Sequence, residues 1–95
     1  TSSVMAAYYE ILNISSNWLI KKGIKKSIAN GYISELFLSL SQDAFNKKNQ
    51  GFKKLVAESQ TPKGLNMQVL NELKKVKFYN KFIKALENIN KRLSK

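Results

Sequence analysis

The stretch Thr61-Pro62-Lys63-Gly64-Leu65-Asn66 carries the strongest chemical signal in this chain. A Pro–x–Gly turn that runs into a helix leaves backbone N–H groups free at the positive helix end, and such a site can hold a carboxylate or a phosphate. Asn66 adds a side-chain amide to the same place. The plainer reading of the same residues is an ordinary proline turn with a helix cap, and both readings stand at this level. On the first reading these residue types recognise an anion; on neither do they make or break bonds.

Groups that could make or break bonds are scarce. The chain has no histidine and no cysteine, which removes the usual general base, the commonest metal ligand, the thiol nucleophile, zinc–thiolate sites and disulfides. The six acids (Glu10, Glu35, Asp43, Glu58, Glu72 and Glu87) stand singly, mostly beside lysines. That is the pattern of solvated ion pairs, not of a carboxylate pair set up for acid–base work. No GxGxxG, P-loop, HExxH or EF-hand loop occurs. No catalytic residue and no metal ligand is assigned, and an enzyme complete in these residues is the poorest reading.

Lys and Arg number 17 against 6 acids, for a formal charge of +11. Such a balance raises the question of nucleic acid or an anionic membrane. All the basic residues but Arg92 are lysines, in a chain also rich in Asn and Ile. The lysine doublets Lys21/Lys22, Lys25/Lys26, Lys47/Lys48, Lys53/Lys54 and Lys74/Lys75 fall at predicted helix ends and turns. A nucleic-acid footprint favours a continuous stripe, arginines for base edges and free aromatics for stacking. The ten aromatic residues lie mostly within apolar stripes instead. A nucleic-acid partner is therefore disfavoured. The absence of cysteine leans towards a reducing compartment, and a cytoplasmic setting is expected.

These residues must be positioned by helices. One proline and four glycines in 95 residues leave long stretches without breakers, and no segment alternates with period two. The expected fold class is all-α, a single domain over 1–95 with two long and about three shorter helices. Ser2 or Ser3 can cap a first helix over 4–22 that Gly23 stops. A second spans 26–46, with Gly31 inside it marking either close helix approach or a local cost of about 1 kcal/mol. A polar turn, a short helix over 52–59, and helices over 65–75 and 78–93 follow. In the last helix Phe78, Phe82, Ile83, Leu86, Ile89 and Leu93 form one apolar stripe, with lysines mainly on the other face.

The first helix is different. From Val4 to Ile20 its only charge is Glu10, and its apolar residues are spread around the axis. A helix apolar on most sides wants burial on most sides, and a chain this short can hardly enclose it. Glu10, Asn13, Ser15, Ser16 and Asn17 interrupt the stretch, so it does not read as a membrane span. Trp18 and the Tyr8/Tyr9 pair can line a ligand pocket, but large aromatics more often anchor a core or an interface. Tyr8, Tyr9, Leu12, Trp18 and Leu19 are the expected interface residues of a homodimer burying more than about 2,000 Å². The opening Thr-Ser-Ser-Val-Met is no signal peptide and reads as the continuation of a longer polypeptide.

Taken together, three features resemble the C-terminal domain of the pyrroline-5-carboxylate reductase family, especially its divergent oxidoreductase-like relatives. They are the small-residue turn Thr1-Ser2-Ser3-Val4-Met5-Ala6-Ala7 leading into an apolar helix that ends at Gly23, the long second helix, and Thr61-Pro62-Lys63-Gly64-Leu65-Asn66-Met67-Gln68-Val69-Leu70 followed by Leu73, Phe78 and a terminal helix. The resemblance implies an N-terminal Rossmann domain for NAD(P), outside these residues, and a helical domain intertwined with that of a second subunit, as in the C-terminal domain of 6-phosphogluconate dehydrogenase. It implies a substrate carboxylate near the family's Pro–Gly–Gly turn and near the small-residue loop. By position, Pro62 and Gly64 match the turn, Thr61 and Asn66 flank it, and Ser2 and Ser3 fall in the loop. Three departures stand out: Lys63-Gly64 replaces Gly–Gly, Leu65 and Asn66 replace two hydroxyl residues, and Ser3-Val4-Met5 lacks the loop's Gly–Pro. The function this implies is the dimerisation and substrate-side domain of an NAD(P)-dependent oxidoreductase. The alternative is a free-standing basic helical module that binds nucleic acid or an anionic membrane.

Overall fold

The computed structural model describes residues 3–94. Those residues form five α-helices and no strand: α1 Met5–Lys21, α2 Lys26–Asn46, α3 Phe52–Glu58, α4 Leu65–Lys75 and α5 Phe78–Leu93, with one 3₁₀ turn at Lys48–Gln50. The fold is all-α, and α2, α4 and α5 span the stretches their periodicity predicts. The chain divides into two compact units, Thr1–Asn49 and Gln50–Lys95.

In the first unit the turn between α1 and α2 follows from Gly23. Its N–H donates to the Ile20 carbonyl at 3.0 Å, and the Ile24 N–H donates back to Leu19 at 3.1 Å. This double closure needs a left-handed residue, and Gly23 supplies it at φ 101°. The expected serine cap is corrected. The N-cap of α1 is Val4, with no side-chain cap bond, so Ser3 sits one residue too early to reach the first turn's N–H groups. Ser2 lies outside the described residues.

α1 and α2 run antiparallel. The Tyr8 and Phe37 rings meet edge to face at 6.2 Å, while Ser16, fourteen residues from Asn30 along the chain, donates its hydroxyl to the Asn30 side-chain oxygen. Ser16, Ala29 and Ile33 are the buried residues of this unit, with Leu12, Leu19, Ile20 and Phe37 half-buried around them. Gly31 marks no close approach within the protomer, since an added Cβ there meets nothing within 4 Å. Its cost to the helix therefore stands uncompensated there.

In the second unit no residue of α3, α4 or α5 is buried. Met67, Leu70 and Leu73 of α4 and Leu86 and Ile89 of α5 reach only half-burial, and Phe78 and Tyr79 stack edge to face at 5.3 Å. Local backbone geometry does more of the work here. Lys77 takes a left-handed φ of 61° so that α5 can start with only two residues between it and α4.

Candidate functional site

Two places in the described residues can carry function: the outer surface of α1, in the first unit, and the turn before α4, in the second.

At 100° per residue, positions 7, 11, 14 and 18 of α1 fall on one side, opposite the Ser16 side that packs on α2. Ile14 is 58% exposed and Trp18 60%, Ala7 is exposed, and Ile11 is half-buried. Among the predicted interface residues, Leu12 and Leu19 are half-buried, Tyr8 is partly used against Phe37, and Tyr9 and Trp18 stay largely open. The Lys22 ammonium lies 5.8 Å from the centre of the Trp18 ring. The protomer exposes 8439 Å². Two globular units of half its mass would together expose roughly 6,600 Å². The excess is spread over the chain: large apolar side chains stand exposed on every helix, Leu38, Leu65 and Leu93 among them, and on α1, whose sequence carries almost no charge, they include Tyr9, Ile14 and Trp18.

The turn is built from Thr61 upward. The Gly64 N–H donates to the Thr61 carbonyl at 2.8 Å, which closes a β-turn with Pro62 and Lys63 at its centre. Proline presets the first central residue, and Lys63 takes φ 59° at the second. That is the type II pattern, in which glycine or asparagine is the comfortable occupant of the second central place. Gly64 follows in an extended conformation as the N-cap of α4. A Cβ at Gly64 would stand 2.9 Å from the Thr61 carbonyl oxygen and closer still to its hydroxyl, so the close approach requires glycine. The turn resembles Pro–Gly–Gly for two separate backbone reasons, and only the second is met by a glycine here.

α4 has no side-chain cap, and the first backbone N–H groups of a helix have no partner within it. Beside them, Asn66 does not aim its whole amide outward: Nδ2 donates to the Ser59 carbonyl at 3.0 Å and ties the end of α3 to the start of α4. Thr61, Pro62 and Asn66 are exposed and Gly64 is half-buried. Ser3 is exposed in the turn before α1, in the other unit.

A feature the apolar spacing does not announce is a groove of about 330 Å³ along α1 and α2, bordered by Tyr9, Asn13, Asn17, Lys26, Asn30 and Ser34. Asn13/Asn17 and Asn30/Ser34 are polar steps of four residues on two otherwise apolar helices, and that spacing is the signal that could have found them. Neutral amides and hydroxyls hydrogen-bond without moving protons. Among the described residues no three His, Cys, Asp or Glu side chains are grouped to hold a metal. No helix among them is long and apolar enough to cross a membrane.

No curated protein and no solved structure matches the chain. A family model does, over residues 1–95, and its description is pyrroline-5-carboxylate reductase dimerisation. An all-helical chain with an uncharged, uncovered α1 face and a Pro–x–Gly turn before α4 thus belongs to the pyrroline-5-carboxylate reductase dimerisation family, and its role is that of a dimerisation domain in a reductase-like protein.

Proposed function

We propose that the chain forms a homodimer and serves as the dimerisation and substrate-side domain of an NAD(P)-dependent oxidoreductase acting in the cytoplasm. The observation that carries the reading is the outer face of α1, where Ile14 and Trp18 stand more than half exposed on a helix with no charge between Val4 and Ile20 other than Glu10. Burying such a face is favourable at about 25 cal/mol per Å² of apolar surface. The described residues offer α1 no second cover within its own unit. Sedimentation equilibrium tests it: a dimer is expected, and a well-folded monomer ends the reading.

The substrate side of the proposal rests on the turn. The uncapped start of α4 offers N–H groups at a positive helix end, with the Lys63 ammonium one residue before the N-cap, and a small carboxylic acid is the ligand such a place favours. The replacement of two hydroxyl residues by Leu65 and Asn66 leaves the substrate's identity open within that class. Titration with L-proline, followed by amide NMR, should shift the Leu65, Asn66 and Met67 resonances first. If those resonances stay still while the dimer persists, the carboxylate reading falls and the dimerisation reading survives.

The nicotinamide cofactor would be held outside these residues, by a Rossmann domain preceding them. The chain contains no glycine-rich phosphate loop, and its own contribution is to bind, orient and exclude water.

A further inference from the structure

Resting on the dimerisation reading, we infer that the second copy lies antiparallel on the outer face of α1, with Ala7 of each chain beneath the partner's Trp18 and Ile11 against the partner's Ile14. The stripe Ala7, Ile11, Ile14, Trp18 is separated by four, three and four residues. That spacing reads the same in both directions. A two-fold interface requires self-complementarity, because the same patch is presented by both subunits. When the copies run antiparallel about the middle of the stripe, the largest side chain falls opposite the smallest and the two isoleucines fall opposite each other. A parallel pairing would instead set Trp18 against the partner's Trp18 and leave a gap at Ala7.

The surroundings fit the same arrangement. Ile14 and Trp18 are more than half exposed, so they are free to be covered. The charges of α1, Glu10 and Lys21, flank the stripe, and Glu10 is already satisfied by the Asn13 amide at 2.8 Å. Charge at the rim and none at the centre is the composition of a stable interface. A second copy is the occupant the stripe fits, because the chain belongs to a dimerisation family.

A size swap tests the register. Wild type, Ala7→Trp, Trp18→Ala and the double variant are compared by sedimentation equilibrium, with circular dichroism confirming helix content. Ala7 lies on the exposed side of its own helix, so Ala7→Trp leaves the protomer's packing intact. It should weaken the dimer by about 100-fold, since the misfit occurs twice by symmetry. The double variant should recover to within about tenfold of wild type. An undiminished dimer in Ala7→Trp, or a double variant as weak as the two single losses combined, overturns the register. A monomeric wild type removes the dimerisation reading itself.

Should the tryptophan variant fail to fold, cysteines at the same positions give an independent measure, because the chain has none of its own. In Ala7→Cys/Trp18→Cys the two thiols are eleven residues apart on one helix, about 16 Å, and cannot pair within it. Mild oxidation should give a covalent dimer, and a chain that stays single under oxidation overturns the proposal.

Discussion

The two units solve the problem of a small core in different ways. In the first, two long helices lie side by side, close over Ser16, Ala29 and Ile33, and still leave one whole side of α1 apolar and uncovered. In the second, three shorter helices bury no residue and are joined by tight backbone turns, with Lys63 and Lys77 both held at positive φ. The contrast is sharpest between α1 and α5, which are 17 and 16 residues long. α5 sets one apolar stripe against a face of lysines, so a single cover satisfies it. α1 puts its buried Ser16, bonded to Asn30, on the inside and its Ile14 and Trp18 on the outside. A soluble helix normally does the reverse. The first unit is thus unfinished by construction, while the second depends on the geometry of its turns.

Several substitutions can break this comparison. The largest effect should come from Ile14→Glu set beside Lys84→Glu. A carboxylate at position 14 would be buried without a partner in the dimer, at a cost of about 3 kcal/mol or more, and should abolish the dimer in sedimentation. The reversal on the lysine face of α5 should leave the association unchanged. Equal effects of the two would mean that α1 is no more an interface than α5.

Gly64→Ala comes next. The new Cβ meets the Thr61 carbonyl and hydroxyl, so denaturant unfolding should show a loss of about 1–3 kcal/mol. Loss of the α3–α4 connection is expected without loss of the α1–α2 pair. Ser16→Ala probes the opposite unit: removing the hydroxyl that Asn30 accepts should cost about 1 kcal/mol, with helix content retained. The smallest expected change is Lys63→Gly, which relieves the left-handed φ and should stabilise by up to about 1 kcal/mol. A destabilised Lys63→Gly would show that the lysine side chain itself contributes to the turn.

Much of this was legible beforehand. Gly23, Gly51 and the Pro62–Gly64 turn are strong breakers that stop α1 and start α3 and α4, and apolar periodicity places α2, α4 and α5. The turn before α4 was legible as well, because Pro and Gly have few other uses. Three features were not. The expected serine cap falls one residue short, because the backbone places the N-cap at Val4, whose side chain cannot cap, and spacing alone does not fix where the first turn begins. Gly31 could signal close packing or mere tolerance, and the space beside it decides. Asn66 looked like a ligand donor, yet its amide bonds Ser59, seven residues back, a partner that exists only once α3 and α4 meet.

By itself, then, the order of residues determined the helices, most of their ends and the lack of charge along α1, because each depends on neighbours within a few positions. Only the tertiary structure decided which side of α1 its own chain covers. Apolar residues surround that helix, and periodicity cannot rank faces that are all hydrophobic. The antiparallel seating of α2 over Ser16 made the choice and left Ile14 and Trp18 exposed.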